Sequence, residues 1–227
     1  YHFVDSTPLG ERNSKWLQDD YVKFIRLAQQ LISFSPVGIL GYITNHSYSD
    51  NPTFRGMRRS LMRTFSDLRL LDLHGNSKKK ERTPDGSPDV NVFDIQQGVA
   101  ILLASRRPKS SKLESVFHAD LWGEREEKYL SLSRASVGAT KFHELVPTSP
   151  YYLFIPQDTS LRSEFEPLPS VTDVFGVSNM GVTTGDDEKF VAFTSGELLK
   201  NFEDRSRIMS FAYRPFDRRA IYYKPEL

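Results

Sequence analysis

Cationic side chains gather at two places where they could meet a polyanion. Lys78, Lys79, Lys80 and Arg82 fall in a stretch rich in Pro, Gly and Ser, and Arg214, Arg218 and Arg219 flank a Pro-Phe-Asp turn. Loop lysines neutralise phosphates without reading sequence, whereas a guanidinium can grip guanine or phosphate through two hydrogen bonds. Asp217 offers the arginines a second use, as an internal partner. Net charge gives no general pull, since 30 Lys and Arg stand against 29 Asp and Glu, for +1 overall. Other chemistries are poorly supplied. With no Cys, the chain has no thiolate nucleophile, disulfide framework or Cys-ligated zinc, as suits a reducing cytoplasm. His2, His46, His74, His118 and His143 are scattered, and Asp186-Asp187-Glu188 lacks the glycine and spacing of a calcium loop, so no metal is expected. No two glycines are separated by one residue, which leaves no glycine turn for a cofactor. Asn45-His46-Ser47 matches a glycosylation acceptor, but at the end of a buried strand it is better suited to lining a ligand edge or capping a turn.

The elements that position these residues alternate. Apolar residues at Tyr21, Phe24, Ile25, Ala28, Leu31 and Ile32 predict a helix with one buried face, capped by Asp19 or Asp20. Gly38 to Asn45 is apolar on both faces, as in a central parallel strand covered on each side. Asn51-Pro52 supplies an N-cap and a first-turn proline for a helix carrying Phe54, Met57, Leu61 and Phe65, with Arg55, Arg58, Arg59 and Arg63 on its solvated side. Strand Leu68 to Leu73 follows. The segment His74 to Asn91 has no helical period, and a parallel neighbour would need a crossover, so the third strand, Gly98 to Ala104, should run antiparallel. In open α/β sheets ligands gather at the carboxyl ends of the parallel strands. Here that edge collects Asn45 to Tyr48, the loop beginning at His74, and the residues near Phe93.

From about Ser115 the character changes. Aromatics are dense (Phe117, Trp122, Tyr129, Phe142, Tyr151, Tyr152, Phe154), Tyr151 to Ile155 and Phe190 to Phe193 look like strands, and Ser195 is placed to cap a helix carrying Leu198, Leu199 and Phe202. The expected division is residues 1–114 and 115–227. The chain starts without Met and stops in what reads as a strand, so both ends read as cut. No apolar run approaches the roughly 18 residues that span a bilayer, and the first residues lack the pattern of a signal peptide. No membrane is expected, and the cytoplasm is the expected location.

The segments Asp20-Tyr-Val-Lys-Phe-Ile-Arg26, Gly41-Tyr-Ile-Thr-Asn-His-Ser-Tyr48, Asn51-Pro-Thr-Phe-Arg-Gly-Met-Arg58, Leu71-Asp-Leu-His-Gly-Asn76, Asn91-Val-Phe-Asp-Ile-Gln-Gln-Gly-Val-Ala100 and Tyr213-Arg-Pro-Phe-Asp-Arg218 carry a resemblance in order and spacing. Together they resemble the adenine-specific (N6) DNA methyltransferases of single-chain restriction-modification enzymes, the Type ISP group especially. The resemblance implies the C-terminal half of a Rossmann-like, S-adenosylmethionine-dependent methyltransferase sheet ending in an antiparallel hairpin. A mixed α+β segment beginning the target-recognition domain should follow. It implies double-stranded DNA as partner, and an upstream methyltransferase half with nuclease and helicase regions in the same polypeptide. By position, Phe93 would stack on a flipped adenine, Phe24 with Tyr21 would meet the cofactor, and Lys78, Lys79, Lys80, Arg82, Arg214, Arg218 and Arg219 would contact DNA.

The departures are as specific. None of the 13 prolines is paired with another, so the catalytic Asn-Pro-Pro-Tyr is absent together with the glycine loop. No catalytic residue is therefore assigned within the chain, which alone should be inactive. The alternative is a non-catalytic DNA-binding or interaction module with a degenerate fold of this type. A third reading, another nucleotide-using α/β enzyme such as a reductase or kinase, requires an all-parallel sheet with a crossover helix after Leu73.

Overall fold

The computed structural model describes residues 1–11, 14–108, 115–176, 182–214 and 216–223. Pro215, in the expected Pro-Phe-Asp turn, lies outside them. The chain forms two compact units, Tyr1–Asp158 and Thr159–Leu227.

In the first unit a short hairpin, β1 (Phe3–Val4) and β2 (Thr7–Pro8), precedes helix α1 (Asp20–Ser33) and strand β3 (Gly38–Asn45). Helix α2 (Arg55–Thr64) and strand β4 (Asp67–His74) follow, then β5 (Val99–Arg106), β6 (Ser115–Asp120), helix α3 (Arg125–Arg134) and β7 (His143–Leu145). The sheet order is β3-β5-β4-β6-β7. Strand β5 is antiparallel to both of its neighbours, and β4 and β6 are parallel. No helix interrupts residues 75–98. A chain leaving β4 without a crossover can only turn back, so the expected antiparallel third strand is present, inserted between β3 and β4.

One face of the sheet holds the main core. Leu68 and Leu70 of β4, Ala100, Leu102 and Ala104 of β5 and Val116 of β6 pack with Val22 and Ile25 of α1 and with Met57, Leu61 and Met62 of α2. Asn51 starts the second helical segment as expected, its side chain accepting from the Thr53 N–H at 2.9 Å with Pro52 in the first turn. On the opposite face a smaller cluster of Leu73, Val92 and Val99 is bordered by Leu132 of α3. Among the described residues no helix is long and apolar enough to cross a membrane.

Several expectations are corrected. Among the described residues strand β3 lies at the edge of the sheet, paired with β5 alone, and Ile39 and Ile43 on its second face are 84% and 45% exposed. Helix α1 buries Val22, Ile25 and Gln29, while Phe24, Leu27 and Leu31 are exposed, so its apolar residues divide between two faces. Segment 151–155 forms no strand. Tyr152 and Phe154 are buried without a ladder, and the Phe154 N–H donates to Ser49 O at 2.9 Å. Beside the expected division at residue 115, the compact units divide after Asp158, and β6 joins the sheet between β4 and β7.

The arginines of α2 are not a solvated face. Arg59 and Arg63 both bond Asp5, Arg55 pairs with Glu11, and Arg58 is fully buried. Arg58 donates to Tyr48 O at 2.7 Å, Asn51 O at 2.9 Å and Tyr151 O at 2.7 Å. Burial pulls its pKa below the usual arginine value, and the carbonyls replace the water it lost.

The described residues of the second unit form four one-turn helices, α4 (Arg162–Phe165), α5 (Val171–Val174), α6 (Asp187–Phe190) and α7 (Ser195–Leu198). It also holds a small antiparallel sheet of β8 (Val191–Ala192), β9 (Ile208–Arg214) and β10 (Asp217–Tyr222) in the order β8-β10-β9. Thr194, not Ser195, caps α7.

Replacing Arg58 with Ala takes a buried donor from three carbonyls, that of Tyr48 buried as well, so Arg58→Ala should lower unfolding free energy by about 3 kcal/mol. Arg63→Ala, at a half-exposed ion pair, should change it by less than about 1 kcal/mol. Urea unfolding of the two variants checks the contrast, and equal losses would contradict the clamp.

Candidate functional site

The ends of β3 and β4 and the start of β5 meet at one edge of the sheet, with Val99 opposite both Asn45 and His74. All three segments expected at the ligand edge are therefore brought together. Asn45 caps the turn that follows β3, accepting from the Ser47 N–H at 2.8 Å. That turn tucks His46 inward. A register shift between Asp72 and His74 then ends β4, and His74 and Gly75 adopt φ values of 53° and 81°.

A chain of alternating imidazoles and carboxylates runs beneath this edge. His46 Nδ1 lies 3.0 Å from Asp72 Oδ1, which also accepts the His74 N–H at 2.8 Å. His74 Nε2 lies 2.8 Å from Asp120, and Trp122 stacks on the His74 ring. His118 Nδ1 is 3.7 Å from the same carboxylate, and neither of its ring nitrogens has a hydrogen-bond partner among the described residues. Burial opposes the His46 cation, but the hydrogen bond to Asp72 and that carboxylate's charge outweigh it and hold the His46 pKa above the usual value. Burial likewise opposes Asp72 ionisation, and the bond to His46 reverses the balance, leaving the Asp72 pKa below normal. His118 is pushed down by burial.

His46, Asp72 and His74 have potential ligand atoms within 4.8 Å of one another, a grouping that their scattered positions conceal. The three side chains already satisfy one another through hydrogen bonds and Asp120, so a cation would have to replace the proton shared by His46 and Asp72. Two glycines make the packing possible. A Cβ on Gly75 would stand 2.3 Å from Asn91 Cα, and one on Gly98 would stand 2.3 Å from His46 Nε2.

Above this network the 91–98 segment returns to β5. Asn91 organises it, donating to Gly75 O at 3.1 Å and Gln97 O at 2.7 Å while its Oδ1 accepts the Phe93 N–H at 2.9 Å. Phe93 is at the tip, 43% exposed, with Ile95 exposed beside it. A fixed backbone bearing an outward aromatic ring offers a stacking surface.

The other sequence-derived candidates are distributed differently. Phe24 is 57% exposed on the outer side of α1, whereas Tyr21 packs against Tyr48 and Phe54 with ring centroids 6.3 Å apart in each case. The Tyr21 hydroxyl is buried, which raises its pKa. Lys78, Lys79, Lys80 and Arg82 are exposed on the loop that leaves the edge at Asn76. Lys79 pairs with Asp50 at 3.1 Å and Arg82 donates to Gly86 O at 3.0 Å. In the second unit Arg219 pairs with Asp217 at 2.9 Å and lies 4.3 Å from the ring centroids of both Phe193 and Tyr213. Asp217 thus does hold one of the three arginines. Arg214 covers Tyr213, and Arg218 is exposed.

No protein-family model matches the sequence, and no curated protein matches it. Solved structures do. The chain is similar to part of the DrdV–DNA complex solved by cryo-electron microscopy, with a TM-score of 0.69 at 20% identity, covering 96% of this chain and 27% of that one. It is also similar to the ATP-dependent Type ISP restriction-modification enzyme LlaBIII bound to DNA (TM-score 0.65, 21% identity, 95% of this chain and 17% of that one). A nuclease-deletion mutant of the Type ISP enzyme LlaGI, in complex with a DNA substrate mimic, gives 0.68 and 17%, covering 95% of this chain and 26% of that one. At these identities the likeness is one of fold. The chain spans about a quarter or less of the length of each.

With Asp72 replaced by Asn, burial should dominate at His46. Its pKa, measured by NMR titration, should fall from above the ordinary value of ~6.5 to below it. In the unaltered chain this pair's stabilisation should be complete between about pH 4 and 6.5. It should fade as pH rises through the elevated His46 value or falls through the depressed Asp72 value. A His46 pKa unmoved by Asp72→Asn would contradict the coupling.

Proposed function

We propose that this chain is part of a site-specific adenine-N6 DNA methyltransferase of a restriction-modification system, acting in the cytoplasm, and that its edge around Phe93 holds the target base. The observation that carries the reading is β5. Its antiparallel insertion between two co-directional strands returns segment 91–98 to the edge where β3 and β4 end, and leaves an aromatic ring exposed there. A base inside a duplex is inaccessible to such chemistry, so it must be extruded at a cost of a few kcal/mol, which stacking on an aromatic ring partly offsets. The likeness of fold to two Type ISP restriction-modification enzymes solved with DNA, and to the DrdV–DNA complex, supports the same reading.

S-adenosylmethionine would supply the methyl group. The residues present do not form a complete site for it: Phe24 offers one exposed aromatic wall, and no closely spaced glycines cradle the rest. No catalytic step is therefore assigned to this chain. Its proposed work is to receive the base at Phe93 and to hold the duplex through Lys78, Lys79, Lys80 and Arg82, with Arg214 and Arg218 as further contacts. Arg219, engaged with Asp217 and two rings, shapes the second unit.

The lack of both the glycine loop and Asn-Pro-Pro-Tyr favours one other reading, a DNA-binding module without chemistry. The two separate in a methyl-transfer assay with radiolabelled cofactor and unmodified genomic DNA. The chain alone should transfer nothing, while the polypeptide extended by its upstream encoded residues should methylate adenine, and Phe93→Ala in it should lower kcat/KM about tenfold or more. DNA binding without methylation by the extended polypeptide would establish the module instead. Replacing Lys78, Lys79, Lys80 and Arg82 with Ala should reduce the slope of log affinity against log salt by about one for every phosphate that the loop neutralises. An unchanged slope would remove that loop from the interface.

A further inference from the structure

We propose that Arg125 and Lys128 of α3 are positioning residues that aim Phe93, an inference that rests on the proposed role of that ring. The Arg125 guanidinium grips the loop at three points. Nε donates to Asn91 O at 2.7 Å, Nη2 to Phe93 O at 3.1 Å, and Nη1 pairs with Asp94 at 2.8 Å. The Tyr129 hydroxyl takes the carbonyl between them, that of Val92. Three successive carbonyls around Phe93 are therefore held by one face of one helix, while Asn91 holds the Phe93 N–H from below.

Lys128 anchors the arrangement from beneath. It is the one buried residue of α3, and its ammonium donates to Leu73 O at 2.7 Å and Val90 O at 2.8 Å. It also lies 2.7 Å from Asp89, with both side chains fully buried. Asp89 accepts the N–H of Gly75 at 2.6 Å and of Gly123 at 2.9 Å, which ties the end of β4 and the approach to α3 to the same ion pair. A buried ion pair is a weak source of net stability, since well-packed apolar residues often do as well, but it fixes register.

The same helix leaves Tyr129 and Leu130 partly exposed and borders Val92 of the loop through Leu132, so the polar clamp is added to a small apolar contact. Backbone fixed on every side and a ring left in solvent is the arrangement expected of a surface prepared for a ligand.

Arg125 is the residue to test, because its partly exposed side chain can be removed with less risk to folding than Lys128. The extended polypeptide is used, on a duplex with 2-aminopurine at the adenine that sequencing shows it to methylate. Arg125→Ala should lower both kcat/KM and the fluorescence rise of the extruded base about tenfold, leaving cofactor affinity unchanged and lowering Tm by only a few degrees. Arg125→Lys keeps the charge but cannot span two carbonyls, and should recover part of the loss. If Phe93→Ala abolishes the signal while Arg125→Ala stays within twofold of the parent, the positioning role is wrong and the function stands. Should Phe93→Ala itself be silent, the proposed function fails first.

Discussion

Strand β5 has to return without a crossover, and most of the molecule's organisation follows from that constraint. Residues 75–98 contain no helix, so the chain leaving β4 can reach the sheet again only from the edge it has just left. The third strand then slots between β3 and β4, and everything connecting β4 to β5 must stay at that edge. The loop bearing Lys78 to Arg82 and the segment bearing Phe93 are neighbours of Asn45 to Tyr48 for this reason.

A connection confined to one edge carries many backbone polar groups without strand partners, and these must be satisfied by other means. Three devices do so. The His46, Asp72, His74 and Asp120 network secures the end of β4, Asn91 bridges Gly75 and Gln97, and α3 supplies Arg125, Lys128 and Tyr129 to the remaining carbonyls. Gly75 and Gly98 let these layers approach more closely than any side chain would permit. The outcome is a rigid rim from which Phe93 and Ile95 alone among the nearby large apolar residues of that segment emerge.

Much of this is legible in the sequence because it is local. The Pro-, Gly- and Lys-rich composition of residues 74–91 predicts both the absence of a helix and the direction of β5, and Asn51-Pro52 announces its own cap. What escapes depends on long-range pairing. Arg58 looks like any polar residue on an amphipathic helix, and only the approach of Tyr151 from far along the chain makes it a buried clamp. His46 and Asp120 lie 26 and 46 residues from the carboxylate and imidazole they meet, so spacing gives no hint, although Asp72 and His74 share a strand face. Strand β3 reads as central from its apolar residues on both faces. That pattern is real, but here β5 covers one side and the other edge has no strand among the described residues.

The central claim is that the rim around Phe93 receives a base drawn out of DNA. Its most direct test is a cryo-electron microscopy structure of the extended polypeptide on a duplex containing its methylation site. The account predicts an adenine outside the helical stack with its face against the Phe93 ring, and the 91–94 backbone unchanged. A fully stacked duplex at that site with cofactor bound, or a displaced base lodged elsewhere while Phe93 contacts only protein, would contradict it.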